Sequence, residues 1–224
     1  MNTDRAQIRE HPRKSVAFFL AQEPAATIQP MSKPRARKIK LLLFDVDGVM
    51  TDGKLWFLPA PALPTAEKGG ALTAISRIEA KAFHAHDGAA ISLARLGGLK
   101  TGLITRRSSE TVALRARDLK LEHVYQGVIV KIRVFEEILG KEKITAAEAA
   151  YIGDDVVDLP IMRRCGFAIA VANARDEVKQ EAHWVTPRAG GDGAIRDAVE
   201  YILKAQGSWE AVVKQYLERG EAPQ

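Results

Sequence analysis

Short apolar runs alternate with longer, helix-like stretches from residue 40 onward. The apolar runs predict core strands over 40–44, 100–105, 123–127, 149–153 and 166–171. The first and fourth runs are almost continuously apolar, which is typical of strands buried on both faces of a sheet. Strands that alternate with helices are joined by right-handed crossovers. The pattern therefore predicts an α/β fold, with a doubly wound (Rossmann-like) parallel sheet and helices on both faces.

Helices are predicted between these strands and near the carboxyl end. Their expected positions are 87–96, a segment capped by Ser108, 131–139, a segment from Asp155 to Cys165, and 209–217. In the last segment the apolar residues fall on one helical face. This face is expected to pack against the core or against another subunit.

A β-hairpin is predicted between the first core strand and the first helix. Its strands are expected over 54–58 and 80–84, so this flap covers about residues 54–85. The Pro-rich segment 59–64 cannot continue a strand, and Gly69 and Gly70 close a loop. The hairpin therefore has an unusually long tip.

The first 38 residues differ in composition from the rest of the chain. Residues 1–40 hold nine Lys or Arg and three Asp or Glu, whereas the remainder holds 24 and 25. Several prolines interrupt this segment, so residues 1–38 are predicted to be a disordered basic arm, with Met31 as an alternative start of translation. Because the excess positive charge lies in the arm, the folded part is not predicted to bind nucleic acid.

The remaining composition indicates an ordinary globular protein, with 46% hydrophobic and 27% charged residues. No apolar run approaches the ~18 residues of a membrane span. The single cysteine, Cys165, excludes an internal disulfide and fits a reducing cytoplasm. We therefore expect a cytoplasmic protein with one domain over 39–207, followed by a helix and tail over 208–224.

Polar side chains stand at or just after the ends of four predicted strands. They are Asp45, Asp47, Thr105, Lys131, Asp154 and Asp155. Because the carboxyl ends of parallel strands share one edge of a sheet, these side chains are expected to converge where ligands bind. Carboxylates held together repel each other unless a cation lies between them, and Mg²⁺ prefers oxygen ligands. The sequence therefore predicts a Mg²⁺ site at this edge.

The segment Asp45-x-Asp47-Gly48-Val49-x-Thr51-Asp52-Gly53 resembles the first motif of haloacid dehalogenase (HAD) superfamily phosphatases. Thr105 matches the second motif, Lys131 the third, and the run from Gly153 to Asp158 the fourth. The continuation through Gly53 is similar to the capless subclass that includes 3-deoxy-D-manno-octulosonate 8-phosphate (KDO 8-P) phosphatase. The resemblance runs from about Lys40 to about Trp209, and it implies that the flap stands in place of a separate cap domain.

The resemblance implies catalytic roles for the matching residues. Asp45 is the expected nucleophile, which forms an aspartyl-phosphate. Asp47 is expected to protonate the leaving alkoxide and then to deprotonate the hydrolytic water. Thr105 and Lys131 are expected to bind the phosphoryl group.

The resemblance also implies the metal ligands. Mg²⁺ is expected to bind the carboxylates of Asp45 and Asp154 and the main-chain carbonyl of Asp47. Asp155 and Asp158 are expected to support this set.

Substrate contacts are implied for Arg107 and His86. Arg107 aligns with the family's arginine that contacts the carboxylated sugar acid, and His86 stands where the family often has an arginine. Arg106 and Val130 replace the glycine and asparagine that are usual in the family. A zinc site built on His84 and His86 lacks enough nearby ligands.

The implied activity is Mg²⁺-dependent hydrolysis of KDO 8-P in lipopolysaccharide precursor synthesis. The alternatives are a phosphatase of nine-carbon sialic-type acid phosphates, whose relatives tend to have an acidic residue at the position of Arg107, and a non-catalytic HAD-like assembly module. The implied partner is further copies of the chain in a homotetramer, with flap and carboxyl tail reaching neighbouring active sites. Relative to the family's short flap, residues 59–70 are an insertion.

Overall fold

The strands form one six-stranded sheet and a separate two-stranded hairpin. The computed structural model describes residues 32–59 and 77–219. The strands are β1 Leu41–Phe44, β2 Trp56–Pro59, β3 Arg77–Ala80, β4 Lys100–Ile104, β5 His123–Tyr125, β6 Ala149–Gly153, β7 Phe167–Ala170 and β8 Trp184–Val185. The helices are α1 Ser32–Ala36, α2 Ala85–Leu96, α3 Glu110–Asp118, α4 Lys131–Glu142, α5 Leu159–Met162, α6 Asp176–Glu181, α7 Ala194–Gln206 and α8 Trp209–Arg219.

The large sheet is parallel throughout, in the order β5-β4-β1-β6-β7-β8. This order confirms the predicted doubly wound fold. β1 lies between β4 and β6, with Leu41 opposite Lys100 on one side and Ala149 on the other. The order of winding reverses beside β1, and ligands bind beyond the carboxyl ends of the strands at such a point.

The helices pack in two groups on this sheet. In one group α7 contacts α1, α2 and α8, and α2 also contacts α8; in the other α5 contacts α4 and α6. β1, β6 and β7 are buried at every position, which explains their apolar sequences. In the part of the chain that the structure describes there is no separate cap domain, and none of the helices is long and apolar enough to cross a membrane.

The flap returns to the domain earlier than the sequence predicts. The strand expected over 80–84 is wrong in position, because β3 ends at Ala80, which pairs with the first residue of β2, Trp56. His84 instead precedes α2, and its Nδ1 accepts a hydrogen bond from the His86 amide at 3.3 Å. Apart from Pro59, the predicted insertion lies outside the described residues.

The helix expected from Asp155 to Cys165 is also wrong in extent. A 3₁₀ turn over Val156–Asp158 comes first, and α5 then spans only Leu159–Met162. Pro160 lacks a backbone N–H and so suits the first turn of a helix rather than its interior. The 3₁₀ turn leaves Asp158 fully buried beneath the polar edge of the sheet.

The disordered arm expected over 1–38 is wrong for its last residues. The Ser32 hydroxyl lies 2.6 Å from that of Tyr201 on α7, and Arg37 Nε donates to the Ala205 carbonyl at 3.0 Å. These contacts make α1 part of the folded domain. Residues 1–31, including Met31, lie outside the described residues.

The carboxyl end adds elements that the sequence pattern did not predict. α6, β8 and α7 follow β7 and complete the sheet and one helical layer. The predicted terminal helix is present as α8, which packs on α2 and α7 and buries Val212. The first part of the predicted tail therefore belongs to the main core.

Candidate active site

Asp45 stands directly after β1, at the polar edge of the sheet. Its amide donates to the Ile152 carbonyl on β6 at 3.1 Å, and its Oδ1 accepts from the Val46 amide at 2.7 Å. These bonds hold the carboxylate at the strand end, where only 6% of the residue is exposed. Asp45 is therefore fixed in a buried position that still lines the cleft.

Lys131 connects Asp45 to a second carboxylate. Its ammonium lies 2.7 Å from Asp45 Oδ2 and 2.8 Å from Asp158 Oδ1. Lys131 is the first residue of α4, which begins without a side-chain cap because its N-cap is Val130. A buried ammonium needs carboxylate partners to offset its lost hydration, and here it has two.

Asp158 is a buried carboxylate that holds several groups around Asp45 in place. Its Oδ1 also accepts from the Tyr151 hydroxyl at 2.8 Å, and its Oδ2 accepts from the Asp154 amide at 3.1 Å. Both oxygens are thus occupied by partners within the chain, and the supporting role of Asp158 stays a prediction. Tyr151 was missed from the sequence, although a hydroxyl inside an otherwise apolar buried strand is a signal that a polar partner lies nearby.

The acidic residues form a site that fits a divalent cation. Asp45, Asp154 and Asp158 each offer an oxygen within 4.8 Å of the others. Asp154 Oδ1 is buried without a hydrogen-bond partner, a costly state that a bound cation would relieve. Asp45 and Asp154 therefore fit Mg²⁺, which takes oxygen ligands. The main-chain carbonyl of Asp47 stays a predicted third ligand.

Burial and mutual repulsion raise the pKa values of two carboxyls of this cluster, Asp45 and Asp154. Burial and the Asp158 carboxylate raise the pKa of Asp45 to about 6, although Lys131 opposes the shift. Burial, Asp158 and Asp45 raise the pKa of Asp154 to about 7. Burial alone would lower the pKa of Lys131, but Asp158 and Asp45 outweigh it and raise that pKa. Without a metal, one lysine does not balance these carboxylates.

The Asp47 side chain points away from this cluster, toward the flap. Its Oδ1 contacts the Lys81 ammonium, and its Oδ2 lies 3.3 Å from Arg107 Nε. Glu79 accepts from Arg107 Nη2 at 2.9 Å and lies 3.3 Å from Lys81. Burial alone would raise the pKa of Glu79, but hydrogen bonds from Arg107 and Lys81 lower it. Sequence reasoning missed Glu79 and Lys81, since it assigned Lys81 to a strand.

A cleft of about 470 Å³ opens above these groups. Its lining comprises Asp45, Asp47, Thr105, Arg106, Arg107, Asp154, Asp155 and Val157. Thr105 is buried at the end of β4, and Asp155 caps the following 3₁₀ turn through the Val156 amide. His86 is exposed on α2 and does not line the cleft, so its contact with substrate stays a prediction.

Gly48 allows the turn after Asp45 to approach Asp154. Its φ is +94°, and a Cβ there would lie 2.1 Å from Asp154 Oδ2. The loop before α7 covers the same turn, because a Cβ on Gly190 would lie 1.7 Å from the Gly48 carbonyl oxygen. A side chain at Gly48 or at Gly190 would therefore collide with its neighbours, and Gly48 lies directly against Asp154, the predicted metal ligand.

We expect Gly48→Ala to weaken Mg²⁺ binding by about 10-fold or more, since disturbing the groups around a metal ligand costs that much. Gly98→Ala is the matched control: Gly98 has a φ of +74° but no atom within 4 Å of a Cβ. Both variants should lose about 1 kcal/mol of stability from left-handed backbone strain, and Gly48→Ala should lose more because its Cβ also displaces the Asp154 side chain. Isothermal titration with Mg²⁺ and urea unfolding separate the two effects, and equal Mg²⁺ affinity in both variants would contradict this prediction.

The chain is similar to known phosphatases over most of its length. Residues 107–197 match the haloacid dehalogenase-like hydrolase family. The chain is 34% identical over 180 residues to the 3-deoxy-D-manno-octulosonate 8-phosphate phosphatase KdsC of Salmonella typhimurium, covering 80% of this chain and 87% of that one. A probable YrbI family phosphatase from Pseudomonas syringae is 39% identical with a TM-score of 0.73, covering 84% of this chain and 98% of that one.

One relative of known structure has been solved with a metal ion, phosphate and a sugar acid bound. The 3-deoxy-D-manno-octulosonate 8-phosphate phosphatase of Moraxella catarrhalis was crystallised with magnesium, phosphate and a KDO molecule. It is 33% identical, with a TM-score of 0.70, and the match covers 82% of this chain and 97% of that one.

Proposed function

This chain belongs to the 3-deoxy-D-manno-octulosonate 8-phosphate phosphatases of the HAD superfamily, and we propose that it hydrolyses KDO 8-P to KDO and phosphate with Mg²⁺. One observation carries the proposal: Asp45 is held by Lys131 within an acidic cluster that fits the cation, at the switch point of the sheet. The reaction belongs to lipopolysaccharide precursor synthesis.

Asp45 supplies the nucleophile. Its carboxylate attacks the phosphorus in line with the departing sugar oxygen, which forms an aspartyl-phosphate and releases the sugar acid. Lys131 keeps the attacking group ionised and, with Thr105, binds the phosphoryl oxygens as negative charge moves onto them. Mg²⁺, when bound by Asp45, Asp154 and the Asp47 carbonyl, supplies further positive charge at those oxygens.

Asp47 moves the protons of both half-reactions. It first donates a proton to the leaving alkoxide, and it then accepts one from the water that hydrolyses the aspartyl-phosphate. Asp47 contacts Lys81 and Arg107, whereas Asp45 contacts Lys131. These different partners support different roles for the two residues, with Asp45 as the nucleophile and Asp47 as the acid and base. Asp158 and Asp155 support the site through hydrogen bonds to its main chain.

Arg107 is the proposed contact for the substrate carboxylate. It lines the cleft, its side chain is 40% exposed, and an arginine can bind a carboxylate through two parallel hydrogen bonds. The cationic side chain favours the eight-carbon acid over the nine-carbon alternative, in which an acidic residue is typical. The assembled motif residues favour a catalyst over a non-catalytic module.

A homotetramer is the proposed assembly. The cleft is open in the single chain, and the flap exposes large apolar side chains that another subunit would cover, namely Leu55, Trp56, Phe57, Leu58 and Ile78. Cys165 is free and buried, which supports the cytoplasm as the location. Light scattering of the purified protein tests the assembly.

Phosphate release from KDO 8-P, with and without Mg²⁺, tests the function. A nine-carbon sugar-acid phosphate and a hexose phosphate serve as competing substrates, with Asp45→Asn as the blank. We expect a strong Mg²⁺-dependent preference for KDO 8-P. Equal rates on all substrates would contradict the pathway assignment, and no release from any of them would favour the non-catalytic module.

A further inference from the structure

The flap places a buried lysine against the active site. Lys81 follows β3, and its side chain has no exposed surface although the hairpin before it is exposed. Its ammonium contacts the carboxylates of Asp47 and Glu79, the latter at 3.3 Å. Burying an ammonium is costly unless carboxylates surround it, so this lysine is held by these two partners.

Arg107 completes the group from the opposite side. It contacts Asp47 Oδ2 through Nε at 3.3 Å and Glu79 Oε1 through Nη2 at 2.9 Å. Each oxygen of Asp47 therefore faces a cation from a different segment of the chain. The two cations differ in access: Arg107 lines the open cleft, whereas the Lys81 side chain has no exposed surface and is not part of the cleft lining.

Glu79 is itself fixed to the domain. Its main-chain carbonyl accepts a hydrogen bond from the Thr111 hydroxyl on α3 at 3.0 Å, so the base of the flap is docked onto the same chain. The position of Lys81 thus follows from this docking. A rotation of the Asp47 carboxylate would break its contact with Lys81.

We propose that Lys81 is a positioning residue for the reaction, which holds the Asp47 carboxylate toward the leaving oxygen, and that Glu79 keeps Lys81 in place. The proposal rests on the proposed function, in which Asp47 transfers the proton. Proton transfer requires the acid within hydrogen-bond reach of the leaving group, and a misplacement of about 1 Å can cost 10²-fold. Because Lys81 is placed by the docking of the flap onto α3, the sugar alkoxide should leave efficiently only when the flap is docked.

The test compares two leaving groups. A sugar alkoxide needs a proton from Asp47 as it leaves, whereas p-nitrophenolate leaves readily without one. In Lys81→Met we expect kcat/KM for KDO 8-P to fall by about 30-fold and that for p-nitrophenyl phosphate by less than about 3-fold. The comparison uses kcat/KM because this ratio reports the step in which the leaving group departs.

Two further variants keep the test decisive. Lys81→Arg retains the cation and should recover much of the loss, while Lys54→Met removes a lysine that is 71% exposed and pairs with Asp52, and should change neither ratio. If Lys81→Met does not fold, Glu79→Gln should show the same leaving-group dependence at about 5-fold.

The outcomes separate the two proposals. Equal losses on both substrates, or no loss on KDO 8-P, would overturn the role of Lys81 while the wild-type enzyme remains active. Wild-type protein that hydrolyses neither substrate would instead overturn the proposed function.

Discussion

Asp45→Asn is expected to lower kcat by about 10⁴-fold or more, because removal of a nucleophile leaves only the residual effect of binding and charge. The amide has nearly the shape of the carboxylate, so the fold and the Val46 hydrogen bond to Oδ1 can be kept. It cannot form a phosphoenzyme. Quenched-flow trapping with ³²P-labelled substrate measures this directly: wild-type protein should carry label, and the variant should carry none.

Asp52→Asn is the matched control for that substitution. Asp52 lies on the same turn, but its exposed carboxylate pairs with Lys54 outside the cleft. We expect it to retain kcat within about two-fold, as surface changes usually do little. Substantial turnover by Asp45→Asn, purified from cells that lack the wild-type enzyme, would remove Asp45 from the role of nucleophile.

The parts of the site that the sequence predicts are those fixed by strand ends. Asp45, Thr105 and Asp154 each follow a buried parallel strand, and parallel strands bring their carboxyl ends to one edge whatever the loops do. Lys131 was predictable for the same reason, as the first residue of the helix after β5.

The flap contacts depend on a register that the sequence does not reveal. Whether Lys81 points into the site or continues a strand is decided by which residue of β2 pairs with Ala80, and that partner is Trp56. A long intervening segment gives no turn signal that fixes this pairing. The ion pairs of Lys81 and Glu79 therefore could not be predicted from local patterns.

Asp158 and Tyr151 illustrate a second limit. A motif match suggested that Asp158 supports the site, but its partners come from α4 and β6, which are distant in sequence. Only their packing shows that one carboxylate orients a lysine, a tyrosine hydroxyl and a main-chain amide together. Side-chain networks of this kind arise from tertiary structure and not from the spacing of residues.

Metal removal is expected to abolish phosphate release and to make stability depend on pH. The folded-state pKa values of Asp45 and Asp154, about 6 and about 7, lie above the ordinary aspartate value of 3.8. The folded state therefore binds these protons more tightly than the unfolded state. Their contribution to stability is complete below about pH 4 and is lost as pH rises through the folded values, and each tenfold difference in proton affinity is worth ~1.4 kcal/mol. In EDTA, the free energy of unfolding should therefore be lower at pH 8 than at pH 5.5, by on the order of 3 kcal/mol.

Mg²⁺ should offset this loss at pH 8, because it binds the ionised carboxylates of the folded state and adds about 2.7 kcal/mol at 100 times its Kd. Asp87, whose pKa burial raises to about 6, changes stability in the same direction but lies outside the metal cluster. Asp154→Asn is therefore the control: it retains the contribution of Asp87 and should lose most of the response to Mg²⁺. Urea unfolding at both pH values, with EDTA or Mg²⁺, gives the four free energies for each protein. A wild-type protein that is as stable at pH 8 as at pH 5.5 in EDTA would show that folding does not raise the pKa values of Asp45 and Asp154, and the electrostatic argument for the metal site would be wrong.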